Sequence, residues 1–415
     1  MTVRRRVVVT GLGVVSALGT GTAEFWPAVR EGRVGTGEVS LFDTADCLTH
    51  RGGEIAGWIP GEEPGTGPLT RSESFALSAV RMALRDGGLL DADDRRLPGG
   101  YPAERIGAAF GIVVGNRPGL EGPLARLHAG EVPALPPVTA HDPFRVSGLP
   151  AERFGLHGPH LLLPTACAAG NGSVAHAAEA VAEGRADAMV AGGADELSES
   201  MFLMFNSFRA LAPQAVRPFD AHRIGMMLGE GSGVLLLESE EGARRRGAVP
   251  YAVVAGHGAY SDAHHMTAPH PAGLGAVRSL RAALDAAGLG PDDVDLVSAH
   301  GTGTPANDAA EARALTEVFG GRAAPLPVTA LKSLLGHAQG AAGAIASVAC
   351  ALAVRDGVVW PTANVDTPDP ACLAEPLDLV RKTARDTPVR AAVNNAFGFG
   401  GNNCCLVFTA PEASR

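Results

Sequence analysis

The chain repeats its own pattern in its second half, and this repeat limits the possible folds more than any other feature. The apolar segment RVVVTGLG at 6–13 returns as YAVVAGHG at 251–258. Strands that alternate with helices indicate a mixed or parallel sheet with helices on its faces. A repeat on this scale predicts two similar halves, residues 1–250 and 251–415, related by a pseudo-twofold axis. Further predicted elements repeat in the same order: a helix at 72–86 and 276–287, and a strand at 106–114 and 294–298.

One strand-turn-helix unit in the first half carries a cysteine. In LLLPTACAAGNGSVAHAAEAVAEG (161–184) an apolar strand is broken by Pro164, and a small-residue helix follows Cys167. We expect the helix N-terminus to lower the pKa of this thiol, because unpaired N–H groups and the helix dipole favour a thiolate there. A buried structural cysteine is the competing interpretation, since free cysteines are among the most buried residues.

The second half repeats this unit at 325–357 and adds two histidines and a lysine. His300 follows the strand at 294–298 in the motif HGTGT, and His337 opens the repeated helix in KSLLGHAQG. The position of His337 resembles that of Cys167, and Lys332 lies five residues earlier. A single histidine is more often a structural residue than a catalyst. A thiol, two imidazoles and a lysine on matching turns nevertheless form a coherent acyl-transfer site.

Composition excludes several classes of protein. The 415 residues carry a net charge of -10 with no basic stripe, which argues against nucleic-acid binding. The six cysteines show neither CxxC pairs nor metal-ligand spacing, so we expect free thiols, a cytoplasmic location and no metal site. No segment is apolar enough to predict a membrane span.

The N-terminal stretch 1–19 imitates a signal peptide, but glycines interrupt its apolar run, which predicts a first strand with a glycine turn. The GxGxxS pattern there is only a weak dinucleotide fingerprint, because neither an immediate helix nor a suitably placed acidic residue follows. We expect surface loop at 35–70 and a long functional connection at 115–150. The Phe- and Met-rich run at 201–211 suits core packing and pocket lining equally well.

Four motifs together resemble the signatures of the β-ketoacyl-acyl carrier protein synthases, the ketosynthases. They are TACAAG around Cys167, HGTGTPANDAAE at 300–311, KSLLGHAQGAAG at 332–343 and NNAFGFGGNN at 394–403. The resemblance covers nearly the whole chain. It implies an α/β thiolase fold, with two βαβαβαββ-type halves in five alternating layers, usually as a dimer. It also implies acyl transfer to Cys167 and decarboxylative condensation with a malonyl group, in fatty-acid or, as we favour, specialised polyketide synthesis.

The resemblance implies roles for individual residues. Cys167 would be the nucleophile, and the backbone N–H groups of Cys167 and Phe399 would form an oxyanion hole. His300 and His337 would donate hydrogen bonds to the enolate oxygen, and Lys332 with Glu311 would orient them. A structural ion pair explains Lys332 and Glu311 equally well.

The resemblance also assigns the substrate arm, the gate and the partners. Thr302, Thr304 and Thr267 would bind phosphopantetheine, and Gly398, Gly400 and Gly401 would let the Phe399 gate move. No free cofactor is expected, because an acyl carrier protein presents the substrates. The partner subunit would be a second copy or a chain-length-factor-like protein, with no nucleic acid and no membrane. Arg71 and Arg223 are candidate exposed contacts for an acidic carrier protein.

Several departures from the family pattern leave the substrate open. The run at 224–226 is Ile-Gly-Met where the family has Asp-Gly-Phe, and Ala396 and Asn402 stand for Ser and Thr. Phe144 replaces a frequent Asn, and Pro150 lies inside a predicted helix. A ketosynthase diverted to cyclisation or acyl transfer therefore stays open.

Other functional classes fit less well. A non-catalytic chain-length factor would lack the nucleophile. A thiolase would need a second active-site cysteine, whereas Cys404 and Cys405 lie in a predicted core strand. A cysteine hydrolase would need a nucleophile-elbow pattern.

Overall fold

Ten principal strands form one mixed sheet in the described part of the chain. The computed structural model describes residues 4–63, 67–132 and 141–411. The strands are β1 (Val7–Ser16), β2 (Ile106–Gly111), β3 (His160–Leu163), β4 (Ala188–Asp195), β5 (Gly231–Ser239), β6 (Ala252–Ser261), β7 (Leu296–Ser298), β8 (Leu326–Thr329), β9 (Ala391–Gly398) and β10 (Asn402–Thr409). Their order across the sheet is 3-2-4-5-1-6-10-9-7-8. Two short strands extend it, Gly19–Thr20 beside β1 and Leu377–Leu379 beside β8.

The sheet consists of two copies of one five-stranded arrangement. In the first copy β1, β5 and β4 are antiparallel neighbours, and β4, β2 and β3 are parallel. In the second copy β6, β10 and β9 are antiparallel, and β9, β7 and β8 are parallel. Each strand therefore corresponds to the strand five places later. The copies join where Val8 and Val9 of β1 pair with Val253 and Ala252 of β6. The boundary expected at residue 250 stays a prediction, because this pairing makes the sheet continuous.

Helices complete the layers. They are α1 (Thr22–Glu31), α2 (Arg71–Asp86), α3 (Glu121–His128), α4 (Arg145–Phe154), α5 (Ala169–Ala182), α6 (Glu199–Ser207), α7 (Glu240–Arg245), α8 (Leu274–Ala287), α9 (Pro305–Phe319), α10 (Lys332–Leu335) and α11 (Ala342–Asp356). Helices α5 and α11 pack against each other and against strands of both halves, while α2 and α4 cover the outer face of the first half. Helices α8 and α9 cover the second half. These five layers confirm the predicted thiolase fold.

The two central helices approach closely because their sequences are small and apolar. Every residue of α11 from 342 to 354 is buried, as expected for a helix that is hydrophobic on all sides. A Cβ atom on Gly170 would lie 2.6 Å from the backbone nitrogen of Ala344, and one on Gly343 would lie 2.6 Å from the Oδ1 of Asn171. Glycine at both positions therefore sets the spacing between the helices.

The repeated glycines in β1 and β6 serve the outer helices. A Cβ atom would lie 2.1 Å from the carbonyl oxygen of Ala83 at Gly11 and 1.9 Å from that of Ala79 at Gly13. The corresponding pair in β6 faces α8 in the same way. The expected glycine turn is therefore wrong, because β1 continues through both glycines with a bulge between Val9 and Gly11. The same observation removes the dinucleotide loop.

The long connection at 115–150 contains α3 and the first part of α4, and its residues 133–140 lie outside the described ranges. Pro150 lies inside α4, as the sequence suggested. The run 35–70 is largely loop with short two-residue strands. Across 4–63, 67–132 and 141–411, the structure shows no helix with the length and apolar character needed to cross a membrane.

Candidate active site

Cys167 lies on a tight turn between β3 and α5. The chain leaves β3 through Pro164 and Thr165, and a 3-10 turn, Ala166–Ala168, leads directly into the helix. Ala166 adopts a left-handed backbone conformation with φ 51°. Cys167 is the middle residue of the turn and keeps partial access to solvent.

The second half contains the same turn before α11. It spans Gln339–Ala341, and Gln339 has φ 49°, matching Ala166. Aligning the two turns pairs Cys167 with Gly340. The expectation that His337 corresponds to Cys167 is therefore wrong. His337 lies three residues before Gly340, between α10 and the turn.

His300 is held by a buried carboxylate. It follows β7, and its backbone N–H donates to Oε1 of Glu311 at 2.7 Å. The N–H of Gly301 donates to the other oxygen at 2.8 Å, and the side-chain amide of Asn395 donates to Oε1 at 3.1 Å. Glu311 thus fixes the backbone that carries the His300 ring. Asn395 of β9 was not anticipated as part of the site.

Lys332 lies against the same histidine. Its ammonium group donates to the backbone oxygen of His300 at 2.7 Å and lies 3.3 Å from the ring Nδ1. Lys332 is buried and opens α10. An ammonium group can only donate, so Nδ1 of His300 accepts and the ring proton belongs on Nε2.

His337 has the same tautomer for a similar reason. The backbone N–H of Gln339 donates to its Nδ1 at 3.1 Å, which leaves Nε2 to carry the proton. The ring centroids of His300 and His337 are 5.4 Å apart, at an interplanar angle of 84°. Two neutral imidazoles therefore lie side by side, each with one N–H free to donate.

The thiol and both imidazoles line one pocket of about 260 Å³. A larger groove of about 670 Å³ near Arg4 and Thr409 contains none of the three, so size alone does not identify the site. The pocket also includes apolar residues that sequence reasoning did not assign, although the Phe- and Met-rich run was one signal for them. These residues are Phe205, Phe208, Ala210, Met226 and Phe397.

Burial sets the protonation states. The pKa values of His300 and His337 lie well below 6.5, because burial and the nearby charge of Lys332 disfavour imidazolium. Burial also lowers the pKa of Lys332 to about 8, although the carboxylate of Glu311 opposes this shift. Burial raises the pKa of Cys167 to about 11, against the opposing charge of Lys332. The expected low pKa of this thiol is therefore wrong, because burial outweighs the helix N-terminus.

The glycine loop after β9 faces the cysteine. The backbone N–H groups of Phe399 and of Cys167 itself lie within hydrogen-bonding reach of the sulfur. A Cβ atom on Gly398 would lie 3.0 Å from the backbone nitrogen of Cys167. The ring of Phe399 packs on Phe205 at 5.6 Å, and the side chain of Asn402 donates to its carbonyl oxygen at 2.9 Å.

The loop itself uses left-handed glycines. Gly400 has φ 77° and Gly401 has φ 74°, a region that residues with a side chain rarely adopt. The three predicted threonines line the same pocket, and the hydroxyl oxygens of Thr302 and Thr304 are 2.8 Å apart. Thr267 lies opposite them, with its backbone N–H donating to His265.

The two predicted docking arginines are not exposed. The side chain of Arg71 is 15% exposed and forms an ion pair with Glu230. The side chain of Arg223 is 10% exposed and binds Asp369 at 2.6 Å. Both guanidinium groups hold internal carboxylates, so the expectation that they meet a carrier protein is wrong.

Comparison with known proteins agrees with this geometry. Residues 4–243 match the family model for the beta-ketoacyl synthase N-terminal domain, and residues 251–366 match that for the C-terminal domain. The chain is 35% identical over 418 residues to the 3-oxoacyl-[acyl-carrier-protein] synthase 2 of Coxiella burnetii, covering 98% of this chain and 99% of that protein.

Solved structures give the same result. A structure titled the ishigamide ketosynthase/chain length factor superposes with a TM-score of 0.90 at 38% identity, covering 98% of this chain and 100% of that one. A type II PKS acyl-carrier protein in complex with its ketosynthase bound to the hexaketide gives 0.88 at 32% identity, covering 99% and 100%. With both halves matched and the thiol and imidazoles in one pocket, the chain belongs to the beta-ketoacyl synthase family of condensing acyltransferases.

Proposed function

We propose that the protein is a β-ketoacyl-acyl carrier protein synthase that loads an acyl group on Cys167 and extends it with a malonyl-derived unit. One observation carries this proposal: a thiol from the first half and two neutral imidazoles from the second line the same pocket. A thiol can hold the acyl group covalently, while neutral imidazole donors can stabilise an enolate.

The first step is a transfer between thioesters. The sulfur of Cys167 attacks the acyl carbonyl, and the N–H groups of Cys167 and Phe399 hold the oxyanion. The bond to the carrier sulfur then breaks, and the carrier thiol leaves with the proton that Cys167 loses. Because the thiol pKa is raised to about 11, the loaded thioester is a neutral and stable resting form in this buried site.

The second step forms the new carbon–carbon bond. The malonyl thioester loses CO2, and its enolate oxygen receives the Nε2–H donors of His300 and His337. The carbanion attacks the acyl carbonyl on Cys167, the carbon–sulfur bond breaks, and the thiolate recovers a proton from water. The product is a 3-oxoacyl chain on the carrier.

Other residues position these groups. Lys332 and Glu311 hold His300 through its ring, carbonyl oxygen and backbone N–H. Thr302, Thr304 and Thr267 line the pocket with hydroxyl groups suited to the amides of a phosphopantetheine arm. A carrier-bound substrate needs no free cofactor.

The pathway and partners are proposed from the relatives. Both structures described above belong to ketosynthases of polyketide type, by the words of their titles, which favours specialised polyketide synthesis over primary fatty-acid synthesis. We therefore propose an acyl carrier protein as substrate partner and a dimer with a second copy or a chain-length-factor-like subunit. All six cysteines are free, which suits a reducing cytoplasm.

The nucleophile is tested by loading. After incubation with acyl-carrier protein, intact mass should show one acyl group on the wild type and on the Cys47→Ala control. Cys167→Ala should take none, yet should still decarboxylate the malonyl carrier slowly, because both histidines remain. Full loading of Cys167→Ala would refute the assignment.

The imidazoles are tested by condensation. His337→Ala should load normally and fail to form the 3-oxoacyl product, whereas His128→Ala, on the exposed helix α3, should behave as wild type. Normal condensation by His337→Ala would remove it from the mechanism. A product formed without CO2 release would instead indicate cyclisation or acyl transfer.

A further inference from the structure

Asp195 is a buried carboxylate outside the chemistry described above. It is the last residue of β4 and has no exposed surface. Its oxygens accept backbone N–H groups of Val113 at 2.8 Å, Val114 at 2.9 Å and Gly115 at 2.7 Å, in the loop after β2. A fourth N–H, from Gly340, approaches at 2.7 Å from the turn before α11. One carboxylate therefore joins a loop of the first half to a turn of the second.

The pseudo-twofold axis relates this arrangement to the cysteine site. Gly340 corresponds to Cys167, and β4 corresponds to β9, so Asp195, which ends β4, corresponds to Gly398, which ends β9. A Cβ atom on Gly398 would lie 3.0 Å from the backbone nitrogen of Cys167. A side chain at that position would therefore meet the same turn N–H that the Asp195 carboxylate meets in the second half. One half leaves the N–H group open to substrate, and the other half fills the equivalent place.

We infer that Asp195 supplies a built-in anion at the second-half counterpart of the oxyanion hole, and that it is a positioning residue for His337. The path is short. Asp195 fixes the N–H of Gly340, and the preceding residue, Gln339, donates its own N–H to Nδ1 of His337 at 3.1 Å. Holding the turn therefore holds the donor that sets the tautomer and orientation of the imidazole. This inference rests on the proposed role of His337 in condensation.

A carboxylate is the side chain that this position requires. Four N–H groups converge on its two oxygens, and an ionised carboxylate only accepts hydrogen bonds. Charge-assisted hydrogen bonds of this kind are stronger than neutral ones, which offsets the cost of burying the charge. Asparagine has the same shape but would turn an NH2 group toward some of these donors, so the geometry of the turn would be lost.

The isosteric variant Asp195→Asn tests the positioning role. We expect malonyl decarboxylation and condensation to fall about tenfold or more, while the KM values and the loading of Cys167 change little. The matched control is Asp187→Asn, since Asp187 lies just before β4 and forms ion pairs with Arg5 and Arg105 at the surface. Loading and condensation that fall by the same factor, or an Asp195→Asn variant as active as the control, would overturn the inference.

A second readout is the pH profile of Cys167 alkylation. The charge of Asp195 raises the thiol pKa, so its removal in Asp195→Asn should move the profile to lower pH. A purely structural defect has no reason to shift the profile in that direction. An unchanged profile, or a shift to higher pH, would count against a charged Asp195 beside the turn.

Chemical rescue gives an independent test. In Asp195→Ala, formate should occupy the four N–H groups, restoring condensation and raising Tm in a saturable manner, while formamide should not. Asp187→Ala should show no formate effect. Absence of both formate effects in folded Asp195→Ala would overturn the inference, and if that variant does not fold, the ratio measured on Asp195→Asn decides. Should the wild type fail to condense at all, the proposed function fails, but the formate effect on Tm still tests the anion site.

Discussion

The ammonium group of Lys332 lies 2.7 Å from the backbone oxygen of His300 and 3.3 Å from Nδ1 of its ring. This double contact fixes both the position of the imidazole and its tautomer. The charge also lowers the pKa values of both active-site histidines and opposes the raised pKa of Cys167. One lysine thus affects every reacting group in the pocket.

Replacing Lys332 by Met should therefore act on two steps. Condensation should fall about 100-fold, because the His300 ring loses its donor and buried Glu311 loses its opposite charge. Alkylation of Cys167 should slow at fixed pH, since the thiol pKa rises further. The chain contains only one other lysine, exposed Lys382, which makes Lys382→Met the matched control. Similar losses in both variants would contradict the prediction, and steady-state kinetics with intact mass would measure them.

The raised pKa of Cys167 predicts a steep alkylation profile. Because only the thiolate reacts, the iodoacetamide rate should rise about tenfold per pH unit from pH 7 to 9 and continue rising toward pH 11. Cys167→Ala supplies the background rate of the other five thiols. A rate that is already constant between pH 7 and 8 would show that the helix N-terminus outweighs burial after all.

The lowered histidine pKa values predict an acid-tolerant decarboxylation. The imidazoles must be neutral to have the described tautomers, and their neutral forms persist below pH 6.5 because burial and Lys332 disfavour protonation. Malonyl decarboxylation by Cys167→Ala should therefore lose activity only well below pH 6.5. Adding Lys332→Met should move this acid limb to higher pH. A midpoint at the ordinary value of histidine would indicate solvated rings.

The glycine loop predicts a local cost for side chains. Gly401 has φ 74°, and a Cβ atom there would lie 2.8 Å from that of Asp262. Gly401→Ala should lower the free energy of unfolding by about 1–2 kcal/mol, from left-handed strain alone, and slow acyl loading. Gly321→Ala is the control, because its Cβ would meet nothing within 4 Å. Urea denaturation and loading rates would measure both effects.

The central helices predict a stability effect away from the pocket. The side-chain amide of Asn171 on α5 donates to the backbone oxygens of Asn394 and Cys404, and its Oδ1 accepts from Asn394. Asn171→Ala would leave buried polar atoms without partners, at a cost of about 1–3 kcal/mol. The exposed control Gln214→Ala should be neutral. Equal midpoints in urea for the two variants would contradict this prediction.

Local pattern was enough to predict the strands, the repeat and the turn that carries Cys167. Helix α2 was expected at 72–86 and spans Arg71–Asp86, because apolar spacing marks its buried face and Thr70 caps it. The repeat also placed Cys167 and the two histidines in opposite halves. These features follow from periodicity within a few residues.

Long-range side-chain partners were not predictable in the same way. Asn395 binds Glu311 across 84 residues, and Asp195 binds Gly340 across 145, so no local spacing signals either contact. The burial of Arg71 and Arg223 also depends on distant carboxylates. The raised pKa of Cys167 was missed because the sequence shows the helix N-terminus but not how much protein surrounds the sulfur.

The crossing of α5 and α11 at Gly170 and Gly343 has a consequence for activity at a distance. The sulfur is attached to one helix and the neighbouring turn of the other carries an imidazole, so the gap between reacting atoms is inherited from the helix spacing. A methyl group at either crossing point would push these supports apart. The enzyme could then keep every reacting side chain, retain its overall fold and still be slow, because its two sets of groups would no longer reach the same substrate carbon.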